Sequence, residues 1–247
     1  MNTAYIDLFS GIGGFALAAY WSGLRFDKHY FSEVDDYAVR LYQKRFPEAI
    51  PLGDIRNVDY SKLSKGEYLV TGGFPCQPHS MCGKRQGDKD ERDLWGECKR
   101  ALCELRPRIA LFENVRAILR TQRGMFFNRV LSDIHESGYD AEWQIISALD
   151  VCAAHERKRV WIITYPNSLN VQNRLSVYNE NKETICQKRN KLYPNYNRWL
   201  QTICENASGC NGLPEELDAI KGAGNAIVPQ CAELIFNLPA FDYWRET

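Results

Sequence analysis

"AYIDLFSGIGGFALAAYWSG", residues 4–23, decides the fold. An apolar run carrying a β-branched residue and aromatics, AYIDLF, gives way to a turn holding Gly11, Gly13 and Gly14, and then to an Ala-, Leu- and Phe-rich stretch of helical character. This reads as strand, glycine turn, helix. Glycines there let the backbone turn sharply and approach a ligand, while the N–H groups at the helix start face it. The spacing G-x-G-G falls short of the full G-x-G-x-x-G, so by itself the turn is equally a tight strand–helix connection.

The same alternation continues outward. "HYFSEV" precedes "DDYAVRLYQKRF", "EYLVTG" precedes "DLWGECKRALCELR", and "IALFENV" precedes "GMFFNRVLSDIHESG". Strands alternating with helical patterns imply βαβ units, hence an α/β fold with a doubly wound, mostly parallel sheet. "AEWQIISALD" and "RVWIITY" add strands, with an antiparallel pair at one edge as one reading. The period weakens after Pro166, and residues 167–215 are Asn-rich, basic and tyrosine-bearing. The expected organisation is a catalytic, cofactor-binding domain at 1–165, a small lobe at 166–220, and a segment at 221–247 that packs back on the first domain through a helix in "AIVPQCAELIFNLPAF".

Composition narrows the class. Hydrophobic residues make up 45% of the 247 and charged residues 25%, an ordinary globular balance. No apolar run approaches the ~20 residues of a membrane span, and the N-terminus lacks the form of a signal peptide. A soluble, cytoplasmic protein is expected. Nine cysteines without a C-x-x-C pair argue against a zinc site, and no metal is expected. Basic and acidic residues balance at 31 each, so net charge selects no partner. Locally, Arg116, Arg120, Arg123 and Arg129 fall in a stretch from Asn114 to Ser132 that has no acid. Such a face suits a polyanion or is simply a solvated surface.

Five further sites carry chemistry. Glu33 ends the second expected strand about twenty residues after the glycines, where a carboxylate accepts hydrogen bonds from ribose hydroxyls. Asp54, in "LGDIR", stands after the next segment, where it can accept from an adenine amino group. A nucleoside-carrying cofactor follows, with a dinucleotide and S-adenosylmethionine both open. "GGFPCQPHS", residues 72–80, puts Cys76 past the end of the fourth strand, the edge where open α/β sheets bind ligands. Nearby positive charge would make it a thiolate nucleophile. Glu113 ends the strand "IALFENV" beside that loop, as a general acid, a hydrogen-bonding group for an amide-like base edge, or merely a helix cap or ion-pair partner. In "HERKRVWII", Arg157 and Arg159 are two apart and therefore on one face of a strand, suited to clamping a substrate or phosphate or to the bare surface.

Taken in order, these residues resemble the cytosine-C5 DNA methyltransferase family. "DLFSGIGGF" is similar to its cofactor loop, "GGFPCQPHS" to its Pro-Cys motif, "FENV" to its Glu-Asn-Val motif, "HERKRVWII" to its Gln-x-Arg-x-Arg motif, and "GNAIVPQ" (224–230) to its closing Gly-Asn motif. The resemblance implies a Rossmann-like catalytic domain using S-adenosylmethionine, and methylation of a flipped-out cytosine in duplex DNA through a Cys76–C6 adduct. It implies that Glu113 binds N3 and the amino group of the base, that Arg157 holds the base, and that Arg159 supports the site. On the cofactor side it implies Asp7, Phe9, Gly11, Gly13, Gly14, Glu33, Asp54, Pro75, Asn225 and Val228, and on the DNA side Gln77, Ser80 and Asn114. A monomer is implied, with a cognate restriction endonuclease as a companion, in a bacterial or phage-infected cell. RNA cytosine, a catalytically idle DNA-binding protein, and a nicotinamide-dependent oxidoreductase are the competing readings.

The sequence departs from the family pattern in three places. His155 stands where Gln is usual, and His79 where an aromatic is common. Only 64 residues separate Arg159 from Gly224, a short span for target recognition.

Overall fold

The first apolar run forms β1 (Thr3–Leu8), with all six residues buried. In the computed structural model, which describes residues 2–75, 93–151, 153, 155–169 and 226–245, β1 lies inside a seven-stranded sheet. Its other strands are β2 (Lys28–Ser32), β3 (Ile50–Pro51), β4 (Glu67–Gly72), β5 (Ile109–Val115), β6 (Tyr139–Ile146) and β7 (Arg159–Pro166), in the order β3-β2-β1-β4-β5-β7-β6. Strands β1 to β5 run parallel, and β7 and β6 add an antiparallel pair at one edge.

Alternation along each strand assigns side chains to one of two cores. On one face, Tyr5, Leu69, Leu111, Trp161 and Ile163 pack with α1 (Gly14–Trp21), with Tyr42 of α2 (Asp36–Arg45), and with α5 (Pro229–Phe236). On the other, Ile6, Leu8, Val70, Phe112 and Ile162 pack with α3 (Trp95–Leu105) and α4 (Met125–Glu136). Period-two strands between layers of helix bury both faces of the sheet, as the strand–helix alternation predicts. Helix α5 lies on α1, and the segment after it is fastened by Arg245, whose Nε donates to the Ser22 carbonyl at 3.0 Å. Trp244, which follows α5, is fully buried.

The topology fixes where a ligand can enter. The chain winds outward through β2 and β3, then returns to the opposite side of β1 for β4, so strand order reverses between β1 and β4. Side-by-side strands whose connections leave in opposite directions open a crevice at their carboxyl ends. Here those ends are Phe9 after β1 and Gly73–Phe74–Pro75 after β4.

Beneath this crevice lies a buried polar network. The register sets Asp7 beside Thr71, whose hydroxyl donates to Asp7 Oδ1 at 2.8 Å, while the Tyr42 hydroxyl donates to Oδ2 at 3.1 Å. Tyr42 also meets His29 Nε2 at 2.7 Å, and Tyr5 meets Thr71 at 2.8 Å. Burial pushes the Asp7 carboxyl up to about 7 against the pull of its hydroxyl donors, and pushes His29 down to about 4. His29 is therefore neutral at pH 7, and the Asp7 carboxyl holds its proton far above the ordinary carboxylate range.

Candidate active site

A cavity of about 620 Å³ opens at the crevice, well within the size of small-molecule sites. Phe9, Gly11, Glu33 and Asp54 line one end; Glu113, Asn114, Arg157 and Arg159 line the other, and Pro75 borders it too. The two groups of residues, set far apart in the chain, thus share one space.

The first end is built by backbone geometry. Phe9 takes a positive φ of 53°, an uncommon conformation for a bulky residue, and Gly11 and Gly13 follow at 51° and 87°. Glycine is required at Gly13, where a Cβ would lie 2.9 Å from the Phe46 ring and where φ is left-handed as well. Arg45 braces the turn by donating to the Ile12 carbonyl at 2.8 Å. Glu33 stands one residue past β2 and accepts from three backbone N–H groups: Gly11 at 2.8 Å on Oε2, and Val34 and Asp35 at 2.8 and 2.9 Å on Oε1. A carboxylate offers about four acceptor positions, so one on Oε2 is left for a ligand hydroxyl. Asp54 also faces the cavity, but its oxygens are engaged by the Arg56 side chain at 2.5–3.0 Å, which holds its carboxyl below the usual range. Asp7, Gly13, Gly14 and Val228 do not line the cavity. Asp7 lies in the network under the glycine turn, because Thr71 and Tyr42 satisfy it there.

The second end is a buried acid between guanidiniums. Glu113 sits on β5 opposite Trp161, and its neighbour pair Val115–Arg159 aims the arginine at it. Arg159 Nε lies 2.9 Å from Glu113 Oε1, close enough for an ion pair but off the line of a hydrogen bond, so Oε1 keeps an unfilled acceptor position. Burial drives the Glu113 carboxyl up to about 7, with Arg159 and then Arg157 opposing the rise. Asn114 is buried and gives its amide to the Phe74 carbonyl at 2.9 Å, which ties the end of β5 to the segment leading toward Cys76. Cys76, Gln77, Ser80 and Asn225 lie outside the described residues. Among the described residues, no cluster of histidine, cysteine or carboxylate side chains suits a metal ion.

Sequence reasoning brought "GNAIVPQ" to the cofactor side through Asn225 and Val228 but passed over Ala226 and Ile227 between them. Arg157 Nη2 donates to the Ala226 carbonyl at 2.9 Å, and Ile227 packs against the glycine turn so closely that a Cβ on Gly14 would lie 2.6 Å from its Cγ1. Val34, 67% exposed and lining the cavity, was equally silent. Its only signal was its place after Glu33. The Ile227 contact makes a prediction. Gly14→Ala should destabilise the fold by ~1–3 kcal/mol through overpacking, and Ile227→Ala in the same chain should recover much of that loss. Thermal melting of both single variants and the double variant measures it; purely additive losses would show that the two residues do not collide.

Residues 3–216 match the family model described as C-5 cytosine-specific DNA methylase. Type II methyltransferase M.HhaI of Haemophilus parahaemolyticus is 34% identical over 170 residues, covering 68% of this chain and 51% of the relative. The orphan methyltransferase M.Rho11sI of Bacillus phage rho11s is 31% identical over 189 residues, 75% of this chain and 37% of the relative. A solved DNA modification methyltransferase encoded within an E. coli prophage aligns with a TM-score of 0.60 at 26% identity, over 72% of this chain and 50% of that one. Spodoptera frugiperda DNMT2, at 22% identity and a TM-score of 0.56 over 69% of this chain and 52% of that one, shares the fold. The chain spans about half the length of M.HhaI. A family match running from β1 past β7, over a sheet whose crevice holds the glycine turn, Glu33, Glu113 and both arginines, places the chain in the C-5 cytosine-specific DNA methylase family.

Proposed function

We propose that this protein methylates carbon 5 of cytosine in duplex DNA, with S-adenosylmethionine as methyl donor. The observation that carries the reading is the single cavity that joins a nucleoside-binding end to a buried acid–arginine end. The residues fit the cofactor: Glu33 keeps one acceptor position for a ribose hydroxyl, Phe9 and Val34 offer apolar surface to the adenine, and Gly11 lets the backbone come close. At Asp54 the adenine amino group competes with an exposed Arg56 ion pair, worth roughly 0–1 kcal/mol. When bound, S-adenosylmethionine supplies an electrophilic methyl group.

The chain's own residues make the base reactive. The Cys76 thiolate adds to C6 of cytosine, forming an S–C bond and giving C5 the character of an enamine carbon. Glu113, whose carboxyl burial raises to about 7, donates its proton to N3 and accepts from the amino group, so the electron density pushed into the ring is drawn off. Arg159 and Arg157 keep the acid oriented and hold the base. Once C5 carries the methyl group, water takes the C5 proton and N3 returns its proton to Glu113, which expels the Cys76 thiolate and restores aromaticity. None of this is possible on a stacked base, so the cytosine is flipped out of the duplex. The segment 166–220 reads the target, and the protein works as a monomer in a bacterial or phage-infected cell, with a cognate restriction endonuclease as its companion.

Base-resolution methylation sequencing tests the reading. Unmethylated duplex DNA incubated with the protein and S-adenosylmethionine should acquire 5-methylcytosine at one recurring short sequence. Methylation confined to RNA, or none despite measurable cofactor binding, would overturn it.

A further inference from the structure

Strand β5 ends at the cavity with Asn114 and the 36% exposed Val115, and the chain then makes two short 3₁₀ turns, Arg116–Leu119 and Thr121–Gly124, before α4. Ile118, fully buried, anchors the first turn to the core. Arg116, Arg120 and Arg123 are exposed. No acid occurs between Asn114 and Ser132. The fourth arginine of the stretch, Arg129, is paired with Asp93, and the nearby Lys99 bridges Asp133 and Glu136. Among the described residues, Arg116, Arg120 and Arg123 make no such side-chain pairing.

The turn also carries backbone strain. Gln122 and Arg123 take φ values of 52° and 58°, followed by Gly124 at 87°. Two consecutive non-glycine residues in the left-handed region cost on the order of 1 kcal/mol or more each. The turn is held by backbone bonds from Arg120 N–H to the Ala117 carbonyl and from Arg123 N–H to the Arg120 carbonyl, at 2.9 and 3.0 Å. Strained backbone fixed in this way clusters at ligand-binding sites.

We infer that the 116–124 turn is a phosphate-binding rim for the backbone of duplex DNA, seated at the mouth of the cavity. The inference rests on the reading of that cavity as the site of a flipped cytosine. A nucleotide drawn into the cavity leaves its backbone crossing the mouth, and Val115 places the arginine turn directly beside it. Permanently charged, planar guanidiniums suit phosphate oxygens, and the segment that carries them adds no acid of its own to repel the polyanion. The contacts carry no sequence information, because phosphates are alike at every site.

The test is equilibrium binding of the full chain to a fluorescein-labelled 30-base-pair duplex across a potassium chloride series. The variants are Arg116→Gln/Arg120→Gln/Arg123→Gln and the corresponding triple lysine replacement. Each phosphate contact contributes about 0.9 to the log–log salt slope. Loss of all three should flatten the slope by about 2.7, so raising salt from 50 to 200 mM weakens the wild type about 40-fold more than the glutamine variant. The lysine variant should keep most of the slope. Duplexes of unrelated sequence should respond alike, and S-adenosylmethionine affinity and melting temperature should not move. A folded glutamine variant with the wild-type slope overturns the rim while leaving the active-site reading intact. A change confined to single-stranded RNA of the same sequence overturns it in favour of a different polymer. Failure of the wild type to bind any duplex overturns both.

Discussion

Replacing Cys76 with serine should abolish methyl transfer, by roughly 10⁴-fold or more, the scale on which enzymes lose a covalent nucleophile. The reason is the ionisation of the attacking atom. A thiol near its reference pKa of about 8.5 reaches a useful thiolate fraction at neutral pH when positive charge stands by, whereas an alcohol does not. The residues proposed to hold the cofactor, Glu33, Phe9 and Gly11, belong to other strands and turns. Calorimetry should accordingly find S-adenosylmethionine affinity unchanged, and single-turnover assays on unmethylated duplex should find no product. Turnover close to that of the wild type would remove Cys76 from the mechanism.

Glu113→Gln should lower turnover by about 10²–10⁴-fold, the usual span for a positioned acid. Glutamine preserves shape and can still donate and accept hydrogen bonds, but it cannot surrender a proton as the ring is attacked. The carboxyl is raised to about 7 by burial, so its protonated form is depleted as pH rises through 7. Wild-type activity should therefore fall on the alkaline side of neutrality, and the variant's residual activity should lack that limb. Stability gives a second readout in the same direction of pH. A folded-state value above the ordinary carboxylate range means that the stability this group contributes is full at low pH and is lost between about 4.5 and 7. Glutamine has no such loss, so its melting temperature relative to wild type should improve from pH 5 to pH 8. A wild-type rate that stays level above pH 7 would argue that Glu113 works only as an anion.

The sheet was legible because short apolar runs rich in β-branched and aromatic residues alternate with longer helical stretches, of which α2, α3 and α4 each bury one face while α1 is apolar nearly throughout. Glu33, Glu113 and the arginine pair were legible for a related reason: each sits at the end of a strand, and strand ends at the switch of winding share one edge. The two-residue β3 was not, since Ile50 and Pro51 carry no periodicity and are strand only because β2 pairs with them. Asp7 was assigned to the cofactor, yet its partners Thr71 and Tyr42 are set by parallel register and by a helix two elements away. Ile227 was hidden inside a motif whose neighbours drew notice, because its partner, Gly14, lies at the other end of the chain.

That last contact has a consequence for how the protein comes into being. Everything from β1 to β7 can pair as it leaves the ribosome, yet Ala226, which lines the cavity, and its neighbour Ile227 are made some sixty residues after Pro166. At 5–20 residues per second, synthesis of that stretch takes roughly 3–12 s. Through that interval the Gly14 face of α1 is not yet covered by Ile227, and the bond from Arg157 to the Ala226 carbonyl has not formed. A chain cut short of Ala226 would therefore keep the sheet but lack both contacts.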